Sequence, residues 1–287
     1  MEEWSETKKE GRVLFISMLL IFIVFVSIAI KVEYSGNPAL ASLPIDQSIG
    51  SMEGKEVRFG TGMSTLYSMV TTAAETGAVN NMHDTLTPIT GMLAVSNMLL
   101  NTVFGGVGFM NVLMYVMIAV FMSGLMVGRT PEFLKKKIES KEMKLIAVTI
   151  LIHPLLILEF TALALFLNIG NESISNPGFH GITQILYEFT SSAVNNGSGF
   201  EGLADNTLFW NITTGIVMYI GRYFSMITLL SVSYSMLNKQ TVPNTVGTFR
   251  TDTALFGGIL IGIIFIVGAL TFFPSIALGP IAEFLTI

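Results

Sequence analysis

The sequence predicts an all-α integral membrane protein built from two helix–pore loop–helix repeats plus one extra transmembrane helix. Three observations predict it. The 287-residue chain is 51% hydrophobic and 12% charged, with a mean hydropathy of +0.66, whereas soluble domains carry about 25% charged residues. Long apolar runs alternate with polar connections along the whole chain. A small-residue, glycine-bearing stretch, Ser191 to Phe200, has a counterpart 120 residues upstream: Leu66-Tyr67 matches Leu186-Tyr187, Thr71-Thr72-Ala73 matches Ser191-Ser192-Ala193, and Gly77 matches Gly197.

Such a stretch cannot lie against lipid, where its backbone N–H and C=O groups would go unpaired. It can line a water- or ion-filled cavity, where carbonyls replace an ion's hydration shell. Taken singly, either copy also reads as an ordinary external loop. Their recurrence at one point of a matched hydropathy pattern favours the cavity, because internal repeats dictate architecture.

Composition excludes other classes. A net charge of −5 leaves no basic face for nucleic acid. The absence of cysteine excludes disulfides and thiolate metal sites. His83, His153 and His180 are too far apart in sequence for metal-ligand spacing. The sequence contains no phosphate-binding glycine loop, nucleophile elbow or aspartyl phosphorylation motif, so no enzyme activity of its own is expected.

The first span is expected over Val13 to Ile30, eighteen residues without a charge; at 1.5 Å per residue these cover about 27 Å. A cleaved signal peptide is the competing reading, since Ser27-Ile28-Ala29 resembles a small-x-small site. Lys31 to Gly60 reads as a polar loop. Residues 62–74, about 20 Å long as a helix, are too short to span and suit a pore helix. Residues 75–81 form the first candidate filter, followed by Met82-His83-Asp84 and an exit segment with Pro88.

The second span is expected over 105–127, opening with Gly105-Gly106-Val107-Gly108, a run that weakens the helix. A basic loop of Arg129, Lys135, Lys136, Lys137, Lys141 and Lys144 follows. The third span covers 145–167 and contains Pro154 and Glu159. After a short turn-rich loop come a second pore helix (181–194), a second filter (195–200) and a fourth span (208–237) interrupted by Gly221-Arg222. A final span covers Ala254 to Phe273, and Pro274 to Ile287 is a short tail. The units are 1–142, 143–252 and 253–287. With residue 1 in the cytoplasm, eleven Lys and Arg residues fall inside and three outside, the charge bias of the positive-inside rule. Both filters then enter from the external face, and the C-terminus is external.

Several longer motifs resemble the potassium-binding A subunit of Kdp-type potassium-transporting ATPases. They are Met52 to Gly60, Thr71-Thr72-Ala73-Ala74, Met82-His83-Asp84, Phe104 to Gly108, Gly128 to Glu132, Ser191 to Phe200, Gly221-Arg222, Gly268 to Phe272 and Leu278-Gly279-Pro280. The resemblance covers nearly the whole chain and implies a potassium-channel-like fold in the cell membrane. It further implies four filters around one potassium path, of which this chain carries the last two repeats and the final helix. Either another polypeptide supplies the first two repeats or the gene is broken; Met1, directly before a cytoplasmic-looking segment, favours a split subunit.

Under that resemblance, K+ is the transported ion and no catalytic cofactor is bound. Filter carbonyls and small polar side chains of Glu75, Thr76, Gly77, Ala78, Val194, Asn195, Asn196, Gly197 and Ser198 select dehydrated K+. Gly105, Gly106, Gly108 and Arg222 belong to the gate and path. Arg129, Lys135, Lys136 and Lys137 are a candidate docking surface for the ATP-hydrolysing B subunit, although the same loop also serves topology and anionic lipid. The lipid bilayer and a C subunit complete the implied partners. A passive potassium channel or symporter subunit, or an inactive fragment, are the alternative readings.

Departures from the family pattern sharpen three positions. Glu75 stands where a small residue is usual and is expected to point to the outer vestibule. Val194 replaces an asparagine. Asn101 replaces a glutamate, leaving Arg222 without its expected acid. An intramembrane charge defaults to a functional role; for Glu159 the favoured reading is a position facing an aqueous vestibule near the outer end, and the competing one is substitute partner for Arg222. His153 reads as a packed helix residue.

Overall fold

The computed structural model describes residues 2–104, 108–242 and 250–287. Helices α1 (Glu2–Tyr34), α2 (Gly60–Ala74), α3 (Pro88–Leu100), α4 (Gly108–Val127), α5 (Ser140–Phe166), α6 (Ile169–Ser173), α7 (Phe179–Val194), α8 (Leu208–Leu237), α9 (Ala254–Ile276) and α10 (Ala282–Thr286) account for nearly all regular structure. Among the described residues, five helices are long and apolar enough to cross a membrane: α1, α4, α5, α8 and α9. The chain is therefore an all-α, multi-pass membrane protein.

The face at which α1 ends is called the upper face. Helix α2 starts there, because Thr61 Oγ1 donates to the Ile49 carbonyl (2.8 Å) in the loop that follows α1. Helix α3 also starts there. Its cap Thr87 donates from N and Oγ1 to Glu33 Oε1, at 2.8 and 2.7 Å, in the last turn of α1. A carboxylate at a helix N-terminus complements the positive end of the backbone dipole. Glu33 also pairs with Lys55 (3.0 Å), and both side chains are fully buried.

Over the described residues the expected second span is α4, Gly108–Val127, and a separate helix precedes it. Helix α3 descends from Pro88, whose missing N–H costs nothing at a helix start, and stops at Asn101, which closes it in the left-handed conformation (φ 46°, ψ 46°). Helix α4 then resumes at Gly108. The sequence rule for spans missed α3 because its thirteen residues reach only about 20 Å.

In the second repeat the corresponding segment is unbroken. Helix α8 runs thirty residues from a Thr207 cap through Gly221 and Arg222. Helix α5 is likewise continuous through Pro154. It packs on α7 and α8, while α1 packs on α2, α3 and α9. Ile21, Phe25 and Ala29 of α1 are buried in these contacts.

Two smaller differences concern the ends. The basic loop folds into a short hairpin, β1 (Glu132–Phe133) paired with β2 (Lys136–Lys137) in antiparallel register. The expected C-terminal tail is instead helical: α9 continues to Ile276, passes through one wider turn over Ala277–Ile281 and ends in α10.

Candidate functional site

The 120-residue offset survives in the backbone. Helix α2 ends at Glu75 (φ 50°, ψ 45°) and α7 ends at Asn195 (φ 60°, ψ 37°), both left-handed caps. Gly77 (φ 71°) and Gly197 (φ 104°) follow two residues later, positions that favour glycine because a β-carbon is strained there. The N–H of Thr76 bonds to the Thr71 carbonyl (3.2 Å) and that of Asn196 to the Ser191 carbonyl (2.9 Å). The two candidate filters thus share one backbone design.

Both segments sit in the middle of the molecule's height. A β-carbon on Gly221 would collide with the carbonyl oxygen of Ala193 and stand 3.0 Å from its carbon. This places the end of α7 against the midpoint of α8. His153 of α5 reaches the same level, with Nε2 donating to the Gly221 carbonyl at 3.1 Å, so it is a packed helix residue as expected. Helix C-termini carry partial negative charge, so α2 and α7 both present their cation-attracting ends at mid-depth.

Glu75 is consequently not in an outer vestibule. As the C-cap of α2 it lies at the inner end of its filter, half-buried, level with Asn195. Val194 also departs from expectation: it is the last residue of α7 and is buried at 2% exposure, part of the packing behind the filter.

The polar side chains of the second filter turn toward the protein. Asn195 Nδ2 donates to the Met218 carbonyl of α8 at 3.2 Å. Asn196 Nδ2 donates to the Thr71 carbonyl at 2.8 Å, and its Oδ1 accepts from Ser198 N (2.9 Å) and Ser198 Oγ (2.6 Å). Gly197 N donates to Ser191 Oγ at 3.0 Å. Thr76, Ala78 and Gly197 are exposed on the open side of the two segments, while Gly77 is half-buried.

Behind the second filter lies a cluster that sequence reasoning did not find. Tyr187 Oη sits 2.9 Å from His83 Nδ1 and 2.8 Å from Ser198 Oγ. Glu201 accepts from the backbone N–H of His83 (2.7 Å). Asp84 accepts from Gln184 (2.6 Å), Asn176 (3.1 Å) and His180 (2.9 Å), and His180 also reaches Glu283 of α10 (2.8 Å). Burial lowers the His180 pKa, but the hydrogen bonds and charges of Asp84 and Glu283 outweigh it and push it up to about 9. Glu188, on the face of α7 toward Gly199, receives Ser192 Oγ at 3.4 Å. The Met82-His83-Asp84 motif and the repeated Leu186-Tyr187 pair were sequence signals at these positions, but neither indicated that they meet.

Arg222 lies one residue below the Gly221–Ala193 contact and is exposed, with no ion pair or hydrogen bond among the described residues. Glu159 is exposed too, and its competing reading as the partner of Arg222 finds no ion pair between them. The reason is register. His153 marks the level of Gly221 on α5, and Glu159 stands six residues, about 9 Å, nearer the upper face.

Gly105 and Gly106 lie outside the described residues, and Gly108 opens α4. Near the break, the buried amide of Asn101 has no hydrogen-bond partner among the described residues. It borders a cavity of about 30 Å³ with Asn111, Tyr115, His153 and Thr271, room for one water molecule. On the lower face, Lys136 Nζ donates to the Leu237 carbonyl (3.0 Å) and Lys239 Nζ to the Lys137 carbonyl (2.9 Å), tying the hairpin to the foot of α8. Arg129 precedes the same hairpin, and Leu134 and Lys135 are left-handed at its turn.

The family model described as "Potassium-transporting ATPase A subunit" matches residues 3–285. Taken with the five spans and the repeated left-handed caps, the match means that the chain belongs to the potassium-transporting ATPase A subunit family, multi-pass membrane components of a potassium-transporting complex.

Proposed function

We propose that this chain supplies two of the four filters through which an ATP-driven importer selects K+ and passes it to a separate ATP-hydrolysing subunit. The observation that carries the reading is the meeting of Gly77 and Gly197. The two glycine turns lie side by side at mid-height: a β-carbon on Gly77 would stand 3.1 Å from the Gly197 α-carbon. Carbonyls of Glu75 to Ala78 and of Val194 to Ser198 form half of a ring, and the outward side of that half is open.

Arg222 supports the open side being covered by protein. A charged residue at the middle of a membrane helix costs about 2.5–3.5 kcal/mol or more against lipid, so it belongs in a water-filled or protein-lined space. Two further filter repeats, on this polypeptide or another, provide that cover and complete the ring. Arg222 then sits below the filter, where its charge repels cations that would leak straight through.

In this reading the lower face is cytoplasmic, following the charge bias of the connecting loops. The upper face and α10 are external. The hairpin with Arg129, Lys135, Lys136 and Lys137 meets the ATP-hydrolysing B subunit, and a C subunit completes the complex. Gly105, Gly106 and Gly108 are assigned to the gate and path.

The test is K+-stimulated ATP hydrolysis and ATP-dependent K+ uptake by the complex purified from native membranes, with Gly197→Asp and Arg222→Gln variants. Gly197→Asp is expected to abolish K+ stimulation. Arg222→Gln is expected to add an ATP-independent cation leak. An unchanged K+ half-saturation in Gly197→Asp rejects the filter assignment. Uptake by the wild type that needs no ATP favours a passive channel or symporter.

A further inference from the structure

Within the reading of 195–200 as a K+ filter, on which this inference rests, we propose that His83 of the first repeat is a positioning residue for the second filter, acting through Tyr187. The proposal comes from a chain of hydrogen bonds whose direction is fixed at every link.

The chain is anchored on a carbonyl. The Thr71 carbonyl can only accept, so the Asn196 atom 2.8 Å away is the amide nitrogen. The other amide atom, Oδ1, is then an acceptor, in agreement with the Ser198 backbone N–H pointing at it (2.9 Å). Ser198 has one hydroxyl proton, and at 2.6 Å it goes to Asn196 Oδ1. Ser198 Oγ must therefore accept from Tyr187, 2.8 Å away. The Tyr187 proton is now used, so its oxygen accepts from His83 Nδ1–H at 2.9 Å. The opposite tautomer of His83 would break one of these bonds, because Ser198 would need two protons.

Burial keeps the relay intact. His83 and Tyr187 are both 0% exposed. Burial, together with the nearby Lys55 charge, pulls the His83 pKa down to about 4, so the ring is neutral with a single N–H. Phe200 stacks on the Tyr187 ring (centroids 4.4 Å apart) and fixes the phenol plane. Glu201 holds the backbone N–H of His83. The relay ends on the Asn196–Ser198 turn that carries Gly197, and it reaches there from the other repeat.

The arrangement is one-sided. Tyr67, which precedes Tyr187 by 120 positions, is 39% exposed and makes no side-chain hydrogen bond among the described residues. The shared Leu-Tyr pair therefore does not serve one packing need in both repeats. Tyr187 alone is recruited to hold a filter, and only because His83 arrives from the first repeat.

The test compares Tyr187→Phe, His83→Leu and His83→Asn in the assembled complex in membranes. The readout is half-maximal K+ and Na+ for ion-stimulated ATP hydrolysis, separated from the maximal rate. Losing one buried hydrogen bond in the brace is expected to raise half-maximal K+ and narrow K+ over Na+ discrimination, each by about tenfold. Tyr187→Phe and His83→Leu should do this. His83→Asn, whose amide nitrogen takes the place of Nδ1, should stay within about twofold of wild type.

Wild-type discrimination in both Tyr187→Phe and His83→Leu overturns the proposal, as does His83→Asn behaving like His83→Leu. Hydrogen exchange at the amides of Gly197 to Gly199 gives a readout independent of transport. Faster exchange in Tyr187→Phe is expected, and unchanged protection overturns the relay. Should the wild-type complex not discriminate K+ at all, the filter reading fails and the exchange measurement alone decides the brace.

Discussion

Gly77 and Gly197 touch across the boundary between the two repeats: a β-carbon on Gly77 would collide with the Asn196 carbonyl oxygen and stand 3.1 Å from the Gly197 α-carbon. The contact is unequal. A β-carbon on Gly197 would meet nothing nearer than 3.7 Å. Gly77→Ala therefore combines a backbone collision with a left-handed φ of 71°, while Gly197→Ala carries only the strain of its φ, about 1–2 kcal/mol. Gly77→Ala is expected to be the more damaging, lowering K+-stimulated hydrolysis more than tenfold. Parallel thermal melts and K+ titrations of the two variants check the order.

Gly221 is required for close approach rather than for flexibility. It lies inside α8, where a β-carbon would collide with the Ala193 carbonyl oxygen. Gly221→Ala is expected to push α7 off α8 and cost about 1–3 kcal/mol, the usual range for overpacking. Gly215 of the same helix has nothing within 4 Å of a built β-carbon. Gly215→Ala should be neutral or slightly stabilising, by up to about 1 kcal/mol. Equal melting shifts in the two variants would remove the steric explanation.

Backbone-level features were legible in the sequence because they repeat. The offset of 120 marks the ends of α2 and α7 and the glycine turns. What was not legible is where side chains point. Asn196 and Ser198 read as ion-facing polar groups, yet they are buried at 5% and 4% exposure and bonded into the protein. Composition cannot distinguish the two faces of a turn. The Glu159–Arg222 pairing failed for a related reason: two charges on antiparallel helices meet only at equal depth, and depth depends on the helix–helix register. The relay from His83 to Tyr187 joins residues 104 apart, a separation for which a single sequence carries no signal.

The buried Glu33–Lys55 pair gives a stability prediction away from the filter. Both side chains are fully buried, and Glu33 also accepts from Thr87 at the start of α3. Removing one partner strands a charge and costs about 3–5 kcal/mol. Lys55→Met and Glu33→Gln are each expected to destabilise strongly, with the double variant falling short of their sum by about 2 kcal/mol or more. A double-mutant cycle on thermal stability reads this coupling. Additive losses would mean that the two groups do not act as a pair.

The C-terminal helix has a pH-dependent anchor in His180, which bridges Asp84 (2.9 Å) and Glu283 (2.8 Å). Burial alone would lower the pKa of this imidazole, but the two carboxylates raise it to about 9, above its ordinary value of 6.5. A raised folded-state pKa favours the folded state below the unfolded value. The contribution is complete below pH 6.5 and fades as pH rises through about 9. Between those values α10 should loosen, because neutral His180 keeps only one N–H to share between two acceptors. Carboxypeptidase trimming of the C-terminus is expected to accelerate over that interval in the wild type. His180→Gln, which carries no titrating charge, should lack the acceleration. A wild-type trimming rate that is flat from pH 6.5 to 9, measured against a pH-corrected control peptide, would rule out the His180 anchor.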